Sequence, residues 1–409
     1  MKLSLFGRLT MALLASVALG LGMTACGGGT IGYMWVLGQQ YNQIAGFKID
    51  DFTGNLTTVP TSPFSTGGAT PVSIVVKTGG RYVYVINQGT GGTSTAAGAG
   101  QSVVEFAVGG DGTLTYQDTY FTQGFVSMWA QMDSTGTYLM VLDKYAPDKS
   151  GNGAITVFTS DPTTGRLTLV TNSQTQVGNL NTFYWEVGQA PIMMKTAGSC
   201  LFTLDGNQFV TPYSIGANGQ LTTVQQGGGQ ALTTISASSI NGNGTYVYIT
   251  DSAGGTSTNN YIYPFTIGSS CTLTSVTGGA INQGALGLNV TNPTYSLIDN
   301  SGKYLYVLNY SNTNTTTPLP NSSITAYTVS AVNGQLALIP GSPYTVGSGP
   351  VCMVEDTSNQ YIYISNHNDG TLTGKLLDPT TGNLSNLVRG ATFTATGEAS
   401  CLVLSGAVS

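Results

Sequence analysis

Along most of the chain, apolar and polar residues alternate with a period of two, in short runs broken by clusters of glycine, asparagine and threonine. Such alternation turns one side of an extended backbone toward a core and the other away from it, so it predicts β-strands. One run, "YLYVLN" from Tyr304, recurs as "YMWVLG" from Tyr33, "YVYVIN" from Tyr82, "YLMVLD" from Tyr138, "CLFTLD" from Cys200, "YVYITD" from Tyr246 and "YIYISN" from Tyr361. These seven copies start 46 to 62 residues apart. A second marker alternates with the first and keeps the same count: "GNLT" ending at Thr57, "GTLT" at Thr115, "GRLT" at Thr168, "GQLT" at Thr222, "CTLT" at Thr274, "GQLA" at Ala337 and "GNLS" at Ser385. A glycine between two strand runs is hairpin-turn chemistry.

Each repeat therefore reads as four strands. An inner strand precedes a glycine turn and the Tyr strand follows it. A third strand such as "SSITAYTVS" (322–330) comes next, and the second marker opens the outer one. Seven units of this size predict an all-β fold, a seven-bladed β-propeller of four-stranded antiparallel blades. Tyr33 leaves no room for an inner strand before it within a mature chain starting at Cys26. The C-terminal "EASCLVLSG" (398–406) matches the inner-strand stretch "GPVCMVEDT" (349–357). The C-terminal strand is thus expected to join the first blade, closing a propeller over residues 33–409 and removing its exposed sheet edges.

Composition narrows the class. Only 7% of the 409 residues are charged, against about 25% in an ordinary soluble protein. The formal net charge is −6, which argues against nucleic acid as a partner. Lys2 and Arg8 precede an apolar run, "LTMALLASVALGLG" (9–22), too short to span a bilayer comfortably and followed by "MTAC" (23–26). This resembles a bacterial lipobox, with Met23 where leucine is usual. The expectation is a signal peptide over 1–25, lipidation of Cys26, a short tether over 26–32, and an anchor in the bacterial cell envelope at the outer membrane. An ordinary cleaved signal with Cys26 beside the cut is the competing reading. Firm anchoring takes more than one acyl chain.

Four cysteines remain. Cys200 opens a Tyr-type strand of the fourth blade and Cys271 replaces the turn glycine of the fifth, on one face of neighbouring blades, which predicts a bridge. Cys352 and Cys401 occupy matching positions on the inner strands of the seventh and first blades. A bridge there would lock the seam, provided the Cα atoms come within about 7 Å. Metal binding by these cysteines has less support, since no Cys-x-x-Cys spacing exists.

The segments "GSPYTVGSGP" (341–350), "YLYVLN" (304–309), "DPTTGRLT" (161–168) and "DPTTGNLS" (378–385) resemble the lactonase-like seven-bladed propellers. That family includes bacterial 6-phosphogluconolactonases, muconate-lactonizing enzymes and YVTN-repeat proteins. The resemblance covers essentially the whole mature chain and implies a fold more strongly than a chemistry. The family's enzymes place His, Arg and Glu around the channel mouth on one face, often through "GPRH" at the start of an inner strand. Here the matching stretch is "GPVC" (349–352), with Val351 and Cys352 where that motif has Arg and His. The corresponding positions in other blades are read as Ser73, Trp129, Met193, Ala237, Tyr295 and Cys401, none a strong acid or base. Lactone opening needs a base to position water and donors or a cation for the oxyanion.

Candidate residues remain on the same face. Asp143, Asp205 and Asp251 end three consecutive Tyr-type strands and could hold Ca²⁺, the one cofactor with any support. Turn stabilisation accounts for them and equally for Asn87, Asn309 and Asn366 at the same position. Trp129, Trp185 and Tyr295 could stack on a sugar or pack a peptide, with packing between blades as the alternative. His367, the single histidine, with Glu186 and Lys195, is the set available to a lactone hydrolase. Long polar loops over 89–101, 144–153, 252–260 and 310–321 should also emerge there. A binding module for a small molecule, glycan or protein is the leading expectation. A lactone hydrolase is second and a surface assembly protein third.

Overall fold

The structure, a computed structural model, describes residues 29–172, 174–177, 180–224, 230–232, 236–252, 260–286, 288, 290, 292–310 and 322–406. The signal segment, Cys26 and most of the loops 252–260 and 310–321 lie outside the described residues. Seven antiparallel sheets follow one another along the chain, each built from an inner, second, third and outer strand. In the second blade these are Pro71–Val76, Tyr82–Asn87, Ser102–Val108 and Leu114–Tyr120. In the sixth they are Pro293–Ile298, Tyr304–Asn309, Ser323–Val329 and Leu336–Leu338. We call the end of each blade where inner strands begin the upper face, and the opposite end the lower face.

The first blade is composite, as expected. Its inner strand is Ala399–Gly406, which pairs antiparallel with Thr30–Gly38, setting Val403 against Trp35 and Ala399 against Gly38. The second strand begins at Thr30 rather than Tyr33, so the sheet takes up part of the segment assigned to the tether. Backbone pairing between the two ends of the chain satisfies both edges and completes the ring.

One contact recurs between neighbouring blades. The ring of the tyrosine that opens a second strand lies on the turn glycine of the next blade: Tyr82 on Gly165, Tyr138 on Gly219, Tyr246 on Gly334, Tyr304 on Gly382. Tyr33 and Gly112 meet in the same way, and Tyr361 of the last blade meets Gly54 of the first. These glycines have φ between +68° and +83°, a left-handed conformation that costs other residues energy. A Cβ on any of them would stand 2.3–2.5 Å from the tyrosine ring. The tyrosine hydroxyls donate to carbonyls in the same turns, Tyr82 to Thr163 and Tyr138 to Ala217 at 2.6 Å, Tyr304 to Thr380 at 2.7 Å. The aromatic residue two positions on adds a second bond where it can: Tyr248 donates to Gly334 and Tyr306 to Gly382 at 2.9 Å, and the Trp35 indole to Gly112 at 3.1 Å.

Between the fourth and fifth blades both partners change together. Cys200 stands in the tyrosine position and Cys271 in the glycine position, and they form a disulfide. Cys271 retains the turn's positive φ of 64°. The predicted bridge is therefore the same inter-blade contact made covalently.

The outer edges depart from the four-strand expectation. After a three-residue outer strand the chain breaks away and returns to the third strand in a second short piece, as at Phe64–Ser65, Tyr344–Thr345 and Thr392–Thr394. The third blade enlarges this device: a hairpin of Gln174–Val177 and Leu180–Phe183 precedes Trp185–Gln189, which pairs with Asn152–Ser160.

Substituting Gly165 by alanine should be more destabilising than the same change at Gly278, by about 1–3 kcal/mol for the overpacking against Tyr82. Gly278 also has positive φ, yet a Cβ there meets nothing within 4 Å. Urea denaturation of the two variants measures the difference, and equal losses would mean that the tyrosine contact carries no weight.

Candidate functional site

Each inner strand carries a β-bulge near its upper end, between Pro71 and Ser73, Pro191 and Met193, Ala237 and Ser239, Pro293 and Tyr295, and Pro350 and Cys352. A bulge adds a residue and re-aims the side chain that follows it. The residues following the bulges form one level of the ring: Cys401, Ser73, Trp129, Met193, Ser239, Tyr295 and Cys352. In the fifth blade this corrects the sequence reading. Ser239 pairs with Thr250 as Met193 pairs with Leu204, so Ala237 lies on the other side of the bulge.

At this level the channel is plugged. Trp129 and Tyr295 come from the third and sixth blades, on opposite sides of the ring, and their ring centroids are 6.3 Å apart. Both pack against the buried cores of several blades. Both also line the cavity beneath them. Ser73 donates its position to the interface, accepting from the Ala130 N–H at 3.1 Å, and Ser239 bonds the Ser296 hydroxyl at 3.0 Å. Below the plug lies a cavity of about 580 Å³ walled by Val75, Val354, Val403, Leu404 and Gln131. It reaches the lower-face turns at Thr78, Gly79, Gly80, Thr357 and Gly406. The cation on its wall, Lys77, is buried and donates to the Gly136 carbonyl at 2.9 Å. Burial pushes its ammonium below the ordinary lysine value.

The structure does not bring the proposed catalytic set together. His367 sits on the upper face of the seventh blade, its Nε2 4.0 Å from the Glu398 carboxylate of the first. Glu186 lies in the added strand of the third blade, opposite Ala154, and accepts from the Asn152 side chain. Lys195 is on the inner strand of the fourth blade, where burial pushes its ammonium down. Blades three and four are separated from blade seven by others on either side. Glu398, the acid paired with His367, lay unremarked in the sequence because it precedes an inner strand where its counterpart is Gly349. Trp185 stands far from the plug in the same added strand, edge-on to Tyr213 with centroids 6.5 Å apart.

The row of Asn and Asp residues is buried and engaged with its own turns. Asp143 accepts from the Ser127 hydroxyl at 2.6 Å, the Thr122 hydroxyl at 3.0 Å, the Gly124 N–H at 3.2 Å and the Thr156 hydroxyl at 3.5 Å. Asp205 accepts from the N–H groups of Asn207 and Phe209, and Asp251 from that of Ser236. Asn87 and Asn366 make the equivalent bonds as donors, to Thr66 and Ser102 and to Thr371 and Thr373. Each is a strap across the upper end of its blade. Among the described residues, no three His, Cys, Asp or Glu side chains converge.

Burial pushes Asp143 up to about 7, against the pull of its four donors. Burial, with Asp299 and Asp356 nearby, likewise holds Glu355 at about 7. A carboxyl raised in the folded state favours folding fully below about pH 4, its unfolded range, and loses that contribution as pH rises to about 7. Stability should therefore fall between pH 4 and 7 and level off above. Asp143→Asn, the residue of three other blades, should make that fall shallower in urea titrations across this range. An unchanged slope would show that Asp143 stays ionised.

Comparison with known proteins fits this architecture. Residues 30–185 and 296–403 match the family model described as lactonase, 7-bladed beta-propeller. No curated protein matches the chain. Among solved structures, a periplasmic gluconolactonase of Pseudomonas aeruginosa superposes with a TM-score of 0.70 at 15% identity, covering 92% of this chain and 99% of that one. A proposed 6-phosphogluconolactonase of Bacteroides fragilis superposes with a TM-score of 0.68 at 17% identity, covering 91% and 98%. A Lactobacillus plantarum protein gives 0.67 at 15%, covering 92% and 100%. At these identities the likeness is one of fold.

Proposed function

The chain belongs to the lactonase family of seven-bladed β-propellers, and we propose that within it this protein is an envelope-anchored binding module rather than a lactone hydrolase. The observation that carries the reading is the ring of residues after the bulges. A hydrolase needs a base within reach of water and donors for the oxyanion. Cys401, Ser73, Trp129, Met193, Ser239, Tyr295 and Cys352 present an indole, a phenol, a thioether, two serine hydroxyls and two cysteine sulfurs, and the aromatic rings fill the channel. The nearest thing to an acid–base pair, His367 with Glu398, stands at the rim on the seventh and first blades.

The cavity below the plug is the pocket such a module would use. Its walls carry valine and leucine side chains beside Thr78, Gln131, Thr357 and Ser405, and its cation is already spent on backbone carbonyls. A pocket of that chemistry suits a neutral small molecule with an apolar or aromatic face. The lower face is also the one from which the N-terminal segment leaves, since Thr30 opens the second strand there and Gly29 accepts from the Asp51 N–H at 3.1 Å. Phe52, beside this exit, is 86% exposed. With Cys26 lipidated, the few residues of tether would hold the cavity and Phe52 within roughly 10–15 Å of a bilayer surface, at about 3.5 Å per residue.

Purified protein should show no turnover above background with a panel of sugar and acyl lactones. Turnover that His367→Ala abolishes would overturn the reading. Cys26→Ser should release the protein from the membrane fraction and abolish fatty-acid labelling. Persistence of both would remove the anchor from the account. Solvent extracts of the native protein should contain an apolar compound that quenches Trp129 fluorescence on re-addition, with a Trp129→Phe variant as the control. Anionic sugars binding in its place would refute the assignment of ligand class.

A further inference from the structure

The seam of the ring holds a pair of sulfur atoms that the binding role does not use. Cys352, on the inner strand of the seventh blade, and Cys401, on the closing strand, bring their Sγ atoms to 2.9 Å, and both side chains are buried. That is closer than the roughly 3.5–4.0 Å at which non-bonded carbon-sized atoms rest. Two thiolates sharing a metal at about 2.3 Å each would be held further apart, and no third ligand of the His, Cys, Asp or Glu class joins them among the described residues. We propose that Cys352 and Cys401 are joined as a second disulfide, which pins the closing strand to the seventh blade.

The local chemistry suits that reaction. Burial alone would push the Cys352 thiol up, but hydrogen bonds from Cys401, the Leu402 backbone and Tyr295 outweigh it and bring the thiol below its ordinary value. Cys401 is pushed up by its bond to Cys352 and by burial, so the deprotonated sulfur of the pair is that of Cys352. Cys401 lies on the wall of the central cavity, which gives a small disulfide reagent access. Cys401, deprotonated as it reacts, attacks one sulfur of that reagent and expels the other as a thiolate, forming a mixed disulfide. The Cys352 thiolate then attacks the Cys401 sulfur and expels the second thiolate. The two cysteines lose two protons and two electrons, and the reagent leaves as two thiols.

The bridge closes a loop within the C-terminal part of the chain, so it does not close the ring covalently. Its effect is on the closing strand. With the bridge made, Ala399–Gly406 can leave Thr30–Gly38 only together with the seventh blade.

Trypsin supplies the test, because cleavage after Lys303, Lys375 and Arg389 places Cys352 on residues 304–375 and Cys401 on residues 390–409. Cys200 and Cys271 fall together on residues 196–303 and do not interfere. The full chain, incubated with oxidised glutathione, blocked with iodoacetamide and digested without reductant, should yield peptides 304–375 and 390–409 as one linked species that dithiothreitol separates. Recovery of both peptides separately, each alkylated or carrying glutathione, would overturn the proposal. In the linked protein, amide exchange over residues 399–406 should be slower than in the dithiothreitol-treated protein. Equal exchange in the two forms would refute the pinning.

Discussion

A tyrosine ring laid on a glycine in the neighbouring blade is the contact on which this ring depends. Tyr82 on Gly165 and Tyr304 on Gly382 are two instances of it. It needs three things at once: a flat aromatic face, a turn residue without a Cβ, and a backbone carbonyl for the hydroxyl. Neither half is stable alone, because a turn glycine exposes backbone and a strand-end tyrosine exposes a ring. Repetition around a circle makes each blade the support of the next. The last instance, Tyr361 on Gly54, is made by the same chemistry as the others although the residues are at opposite ends of the chain.

This placement leaves the ring's centre free to vary. The tyrosine–glycine contacts sit on the lower face, at the outer turns, away from the residues following the inner-strand bulges, which add smaller inter-blade contacts of their own such as Ser239 to Ser296. A family built this way can change its channel without endangering its fold. In this chain the centre has been filled with packing residues. Trp129 and Tyr295 meet across it, and the volume that remains lies beneath them with mixed aliphatic and polar walls. The Asn and Asp straps on the upper face complete the division, fixing loop entrances and leaving the loops themselves to differ.

Much of this was legible in the sequence for a physical reason. The Tyr-strand marker and the glycine-turn marker are the two sides of one contact, so they had to occur equally often. Cys200 and Cys271 could be paired because they replace one marker of each kind. The closing strand was readable from its likeness to residues 349–357. What escaped was register. A bulge shifts pairing by one residue and leaves no composition of its own, which is why Ala237 was read where Ser239 stands. The strand "WEVGQ" carried no marker because it is the returning edge piece of the third blade, reached only after a hairpin inserted there. His367, Glu186 and Lys195 were grouped by chemical type, and only the blade numbering shows that the ring holds them apart.

The most direct measurement is a double-mutant cycle at the one junction where nature changed both partners. In the chain with Cys200→Tyr and Cys271→Gly together, unfolding under reducing conditions should cost at least as much free energy as in the reduced parent. Each single substitution should be less stable than the pair predicts, giving a favourable coupling of about 1 kcal/mol or more. Additive effects, with no coupling between the tyrosine and the glycine, would contradict the account of how the blades are held.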